Sequence, residues 1–499
     1  MLRQKRIAAL VFFIAGFWFA MMALLFKREA LAPRLDSARY APSSFWETPS
    51  DLWFAVLLAD RTPIGYVNVR TLPEVRGDDA GARTDVTARL RLAMGGNAGE
   101  MFVSGRIWAS RTEGLTDLYF KVRSGGHDTT VDAGVAAGIL EGSIETGGER
   151  FPISFPVGRS LMLSSSPGVT SMTMPDLEVG EEFVVDTFDP LTMSLGKAKI
   201  RCEREEDILV AARMTATRVF TTELSGITSR AWVAADGEVV RAETPVGFVL
   251  EKTTQQVALD AMLEQAHHSD SLLQLAAIRP TGLRPARDAR KMSVRFSGVD
   301  ENSPVPSDET QTIGEGCLYT IRPLAPSEDG ERAAAPGKDW SDYLASDTFV
   351  QSDHKQIRDL AAQIVGSETD PWRKATLLND WVEQSIEKRP VLSVPSALDV
   401  LQTREGDCNE HTVLYTALAR AAGVPTRIVI GVVWSDEHEA FYYHAWPEVF
   451  VGRWVWTDPT FGQHVADATH IKLLSGGIER WWQLVPFLGR LKIDVLHVE

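Results

Sequence analysis

The chain has 499 residues, 44% hydrophobic and 24% charged, a globular composition that argues against a disordered or low-complexity protein. A net charge of -16, with no Lys/Arg cluster beyond the N-terminus, argues against nucleic-acid binding, and no nucleic-acid partner is expected. The length allows two or three domains.

Residues 1–6 carry Arg3, Lys5 and Arg6 and read as a short cytoplasmic N-terminus. Ile7 to Phe26 is an uncharged apolar run, long enough at 1.5 Å per residue to cross a bilayer core of about 30 Å. Residues 7–26 are therefore expected to form a transmembrane helix that leaves the bulk of the chain outside the cytoplasm. Lys27 and Arg28 weaken the charge bias, and Ala30-Leu31-Ala32 offers a cleavage site if the segment is instead a signal peptide. Residues 27–48, with Pro, Arg and Ser and no periodicity, read as a tether.

From Leu52 the pattern becomes β-like. Val86, Ala88, Leu90, Leu92 and Met94 alternate with polar or small residues, as in a sheet with one solvated face. Gly125-Gly126 and Gly147-Gly148 mark turns, and Trp232-Val233, Asp236-Gly237 and Val239-Val240 spell a hairpin. Residues 49–270 are expected to form a β-rich, largely antiparallel domain, with a helix near Thr254–Gln265. Residues 271–341 form a connecting region, with strands at Met292–Phe296 and Leu318–Ile321 between Pro/Ser/Glu-rich loops.

After Asp342 the period changes to that of helices. Ile357, Leu360, Ala361 and Ile364 define one face, and Leu377, Leu378, Trp381, Val382 and Ile386 a second. A short helix near Ser396–Leu401 precedes Gly406, and a longer one runs from Cys408 to Ala421, stopped by Gly423-Val424-Pro425. Strands follow at 426–434, 440–451 and 453–458, then a helix at 477–488 and a terminal strand through Leu491, Ile493 and Val495. Residues 342–499 thus read as an α/β domain, and the fold class as multidomain α+β with an N-terminal transmembrane helix.

Cys408 opens its helix, where free backbone N–H groups favour a negative sulfur. His444 and Asp458 lie on successive strands joined near Gly452, so a hairpin can bring them together. Cysteine, histidine and aspartate in this order can form a thiolate–imidazolium–carboxylate triad: nucleophile, base and orienting acid. The Cys408 N–H is a candidate oxyanion donor. Asp407 can cap the helix while raising the thiol pKa. Asn409 and Glu410 fit roles in orienting the loops, and His411 one in packing or hydrogen bonding beneath the site. Arg427 can anchor Glu410 or Glu448. Trp446, Trp454 and Trp456 can line a cleft or fill the core. The wide spacing of these Cys, His and Asp residues lacks a compact ligand pair, so no metal is expected. Cys202 and Cys317 can pair or stay as thiols.

Gly406-Asp407-Cys408-Asn409-Glu410-His411, Ala417 to Arg427, His444-Ala445-Trp446-Pro447-Glu448-Val449 and Trp456-Thr457-Asp458-Pro459-Thr460 resemble the bacterial transglutaminase-like domain. The match is strong over about 396–475 and weaker from about 345 onward. The resemblance implies a papain-like core and a Cys408–His444–Asp458 triad, with no cofactor. It leaves three readings open: hydrolysis of peptide or protein amide bonds, which is preferred, transamidation that cross-links proteins, or a non-catalytic envelope scaffold. It also places the expected anchor in the bacterial inner membrane, with the bulk facing the periplasm or cell exterior. The β-rich domain is then a candidate for binding an envelope protein.

Overall fold

The computed structural model describes residues 46–499 except 95–96, 158–161, 164–175, 190–193, 225–226, 245–246, 265–276, 300–304, 328–338, 390–395, 478–479, 481–482, 485–486 and 488. Fifteen strands form one sheet. In chain order they are β1 (Ser50–Leu57), β2 (Pro63–Arg76), β3 (Asp79–Met94), β4 (Asn97–Ser110), β5 (Gly114–Ser124), β6 (His127–Ala136), β7 (Ile139–Thr146) and β8 (Glu149–Pro156). Then follow β9 (Met162–Leu163), β10 (Glu182–Asp189), β11 (Ser194–Val210), β12 (Arg213–Leu224), β13 (Ile227–Ala234), β14 (Val239–Glu243) and β15 (Val249–Thr253). The spatial order runs from β8 back to β1, then from β15 back to β9. Two meanders are therefore joined through the β1–β15 pair, in which Phe54 faces Lys252 and Val56 faces Leu250. At Gly147 and Gly148, φ is 61° and 75°, the left-handed pair that a tight hairpin needs to match strand twist.

Helix α1 (Gln255–Glu264) follows β15. The connecting stretch supplies β16 (Thr281–Gly282), β17 (Met292–Ser297), β18 (Gln311–Gly314) and β19 (Leu318–Ile321). Next come α2 (Ser341–Leu344), α3 (Lys355–Val365), α4 (Pro371–Ser385), β20 (Glu387–Lys388), α5 (Ala397–Thr403), β21 (Glu405–Gly406) and α6 (Cys408–Ala421). Local signals fix these helices. Asp370 caps α4 by accepting from the Arg373 N–H at 2.9 Å, with Pro371 in the first turn, where its missing N–H costs nothing. Ser396 caps α5.

Strands β22 (Thr426–Ser435), β23 (Ala440–Phe450), β24 (Trp454–Trp456) and β25 (His470–Ser475) form an antiparallel sheet in the order β24-β23-β22-β25. The last strand, β26 (Lys492–Val498), pairs with β17 and β16 and so joins the sheet of the connecting stretch. Two cores result. In one, α3 to α6 pack with Ile428, Ile430, Val449 and Val455, and against Leu118, Val131, Leu140 and Ile144 of the large sheet. In the other, Val429, Trp446, Trp456 and Ile471 pack with Val294, Phe296, Tyr319, Ile493 and Val495.

The large sheet is tied to the helical layer just ahead of Cys408. The buried carboxylate of Asp399 in α5 accepts from Thr146 Oγ1 at 2.5 Å and from the Gly147 N–H at 2.6 Å. Gln402 returns a bond to the Gly147 carbonyl at 2.8 Å.

The structure corrects the expected fold class and localisation. The described fold is β-rich, its helices confined to short elements beside two small sheets. Among the described residues no helix is long and apolar enough to cross a membrane. The longest helix among the described residues, α4, has 15 residues and spans about 22 Å, short of a core about 30 Å thick. Residues 7–26, where the transmembrane helix was expected, lie outside the described residues. The single-pass inner-membrane placement, with its periplasmic orientation, is accordingly withdrawn. Trp481 and Trp482 and much of the helix expected at 477–488 also lie outside the described residues. Cys202, Cys317 and Cys408 are all free thiols.

Candidate active site

Gly406, Asp407 and Glu410 shape the first turn of α6. Asp407 is the N-cap: its Oδ1 accepts from the Asn409 N–H at 3.0 Å, and its own N–H donates to Glu410 Oε2 at 2.8 Å. This reciprocal capping box satisfies donors that a helix start leaves free. Gly406 allows it, because a Cβ there would lie 2.2 Å from the Glu410 Cβ. Cys408 is half-buried, with its Sγ 3.9 Å from Asn409 Oδ1. Burial first, then the Asp407 carboxylate, push its thiol well up, and the backbone N–H of Ala445 pulls the other way. The helix start is thus less favourable to a thiolate than its position alone suggests.

His444 is buried on β23, and its Nε2 lies 2.7 Å from Asp458 Oδ2. Asp458 is fully buried and heavily bonded. Its Oδ1 accepts from the N–H groups of Thr460 at 2.8 Å and Phe461 at 3.2 Å, and its Oδ2 accepts also from His470 Nε2 at 2.9 Å. Burial alone would raise its carboxyl pKa, but the charges and hydrogen bonds of His444 and His470 hold it far below the usual range. Phe461, 45% exposed, covers the His444 ring with centroids 5.0 Å apart, and the Arg287 guanidinium lies over Phe461. No hydrogen bond among the described residues joins Cys408 to His444. Because Nε2 is committed to Asp458, Nδ1 is the ring atom left for the sulfur.

The other sequence-derived candidates fall into place unevenly. His411 is buried beneath the first turn, its Nδ1 donating to the Asp407 carbonyl at 2.7 Å. Its Nε2 has no partner among the described residues, and burial pushes the imidazole pKa down. Burial and then Asp407 push the Glu410 carboxyl well up. Arg427 pairs with Glu448, its cross-strand neighbour, and lies over Trp454. Glu448 also binds Lys472 and Trp456 Nε1 in a buried network. Trp446 and Trp456 are buried, with ring centroids 5.4 Å apart, and belong to the core rather than to an open cleft.

His470 and Asp467 escaped the sequence reading. His470 sits on β25 in the short run Thr469-His470-Ile471-Lys472, where no motif spacing marks it. The available signal is two ionisable residues, His470 and Lys472, two apart and interleaved with the buried Ile471, Leu473 and Leu474. His444, Asp458 and His470 place metal-ligand atom types within 4.8 Å of one another. Hydrogen bonds of ordinary length account for that closeness, and the three fit no metal without breaking them. A charged cavity of about 950 Å³ lies between the large sheet and the turn before the thiol, lined by Arg89, Glu100, Arg123, Lys388, Arg389 and Glu405. Neither Cys408 nor His444 lines it.

Residues 358–459 match the family described as the transglutaminase-like superfamily, so the chain carries a transglutaminase-like domain. An uncharacterized protein from Haemophilus influenzae is 30% identical over 99 residues, covering 19% of this chain. The chain spans 27% of the length of that curated relative. A solved structure of a candidate cysteine protease from Cytophaga hutchinsonii is 17% identical, covering 45% of this chain and 86% of that one, with a TM-score of 0.29. The periplasmic domain of TgpA from Pseudomonas aeruginosa, bound to ethylmercury, is 16% identical over 37% of this chain and 74% of that one, with a TM-score of 0.23. Both structural likenesses are distant.

Proposed function

We propose that the chain is a thiol enzyme that cleaves peptide or protein amide bonds through Cys408, His444 and Asp458. The observation that carries this reading is the His444–Asp458 bond at 2.7 Å, which leaves His444 Nδ1 to take the Cys408 proton. The sulfur attacks the amide carbonyl carbon, and the Cys408 N–H is a candidate donor to the resulting oxyanion. Nδ1 then gives its proton to the departing amine, and a thioester remains. Water, deprotonated by His444, attacks the thioester, releases the acid and restores the thiol. An amine in place of water gives transamidation by the same first half-reaction.

A second reading, a non-catalytic scaffold, is favoured by two features: the Cys408 sulfur makes no hydrogen bond to His444 among the described residues, and burial pushes the thiol pKa up. Labelling the full chain with a mild thiol-directed electrophile across pH separates the two. Labelling at Cys408 that is fast near neutral pH and slowed in His444→Ala supports the enzyme, and product masses from an amide-substrate library then distinguish hydrolysis from amine transfer. Equal, slow labelling in folded wild type and His444→Ala supports the scaffold.

A further inference from the structure

His470 faces an acceptor with each ring nitrogen. Nε2 lies 2.9 Å from Asp458 Oδ2. Nδ1 lies 3.1 Å from the Asp467 carbonyl oxygen and 3.4 Å from Asp467 Oδ1. A carbonyl oxygen and an ionised carboxylate can only accept, whereas a neutral imidazole carries a single N–H. Both contacts are therefore made only by the doubly protonated ring. Burial alone would disfavour that charge, but the hydrogen bonds and charges of Asp458 and Asp467 outweigh it and raise the pKa.

The ring is enclosed on every side. His444 lies 5.7 Å away between centroids, Trp446 5.1 Å and Phe461 6.3 Å. Asp467 is itself held by Arg287 at 3.3 Å and Gln463 at 2.7 Å. Two residues along β25, Lys472 is committed to Glu448 and Asp308. No other charged contact of His470 occurs among the described residues.

We infer that His470 is a positioning residue for the Cys408–His444–Asp458 site, a standing imidazolium that pins Asp458 Oδ2 toward His444. The inference rests on the thiol-enzyme reading for its consequence in catalysis, though not for the charge state itself. The His470 cation partly cancels the Asp458 carboxylate as seen from His444. The pinned carboxylate keeps His444 Nε2 engaged and leaves its Nδ1 for Cys408.

The test is nitrogen-15 NMR of the histidine-labelled full chain from pH 6 to 8, in wild type and in His470→Gln. Gln keeps a donor for Asp458 and removes the charge. Wild type is expected to show imidazolium shifts and two N–H protons at His470 at pH 7, and the His444 ring N–H that Asp458 Oδ2 accepts is expected to change its proton shift in the variant. A neutral wild-type His470, or an unmoved His444 N–H resonance in a folded variant, overturns the inference. The wild-type spectrum decides the charge state even if the variant does not fold. Electrophile labelling of the same samples tests the other reading separately: a silent Cys408 with a charged His470 sinks the enzyme and leaves the imidazolium standing.

Discussion

The carboxylate of Asp407 that caps helix α6 is also the negative charge that most opposes a thiolate at Cys408. The same group stabilises the helix that presents the sulfur and resists ionisation of that sulfur. Asp407→Asn separates the two effects, since Asn caps about as well as Asp. The thiol pKa is expected to fall, with several-fold faster electrophile labelling near neutral pH and little change in stability. Asp407→Ala is expected to cost about 1 kcal/mol in urea denaturation. Unchanged labelling in Asp407→Asn would show that its charge does not reach the sulfur.

Asp458 holds four donors, and two of them are the imidazoles. Asp458→Asn turns an amide toward ring N–H groups that need an acceptor. If the triad operates, its Cys408 labelling near neutral pH is expected to drop on the order of 100-fold or more, with the fold retained. Labelling within threefold of wild type removes Asp458 from the mechanism.

Asp399 joins the large sheet to α5 through Thr146 and Gly147. Asp399→Ala strands a buried N–H and a buried hydroxyl, and is expected to cost about 2–3 kcal/mol in chemical denaturation. It should also speed proteolysis near Gly147. A loss below about half a kcal/mol would mean that apolar contact alone holds the two layers together.

Lys472 and Glu448 are both fully buried, with Arg427 on the other side of the carboxylate. Lys472→Met leaves a buried charge short of a partner, expected to cost about 3–5 kcal/mol. Adding Glu448→Gln should recover part of that loss. A double variant as unstable as the sum of the single ones would argue against their coupling.

His411 and His470 give opposite pH slopes to stability. The folded pKa of His411 is depressed from 6.5, so its contribution is present above 6.5 and is lost as pH falls through the folded value. The folded pKa of His470 is raised, so its contribution is full below 6.5 and is lost as pH rises through the folded value. Denaturation midpoints measured from pH 5 to 9 should show a shallower acid slope in His411→Gln and a shallower alkaline slope in His470→Gln. Parallel curves for wild type and both variants would contradict these assignments.

Much of the site's local structure was legible because it is encoded within a few residues. The helix expected from Cys408 to Ala421 is α6, with the Asp407 cap and the Gly423 stop written beside it. The Arg427–Glu448 pairing, one of two offered, follows from adjacent antiparallel strands. What remained hidden depends on register between distant segments. His470 becomes part of the site only because β25 lies against β22, with His470 opposite Val433. Trp446 and Trp456 look alike as core or cleft until the layer of β17, β19 and β26 is seen to cover them. The expected membrane helix rested on an apolar run and its basic flank, both outside the described residues, and no helix among the described residues answers to it.

The pairing of β26 with β17 has a consequence for how this protein comes to be folded. Val495 lies against Val294, and Ile493 against Phe296, partners separated by nearly the whole of the site-bearing sequence. Trp446, Trp456 and Ile471 share the core those strands complete, so the histidine-bearing sheet gains its floor only when β26 arrives. Such non-local closure is slow relative to helix formation. During synthesis, α6 can form and dock while the sheet carrying His444 is still open on one side. A ribosome-bound chain lacking β26 is therefore expected to present a folded nucleophile helix and an unfinished base, keeping the thiol without its partner until the last strand closes the clasp.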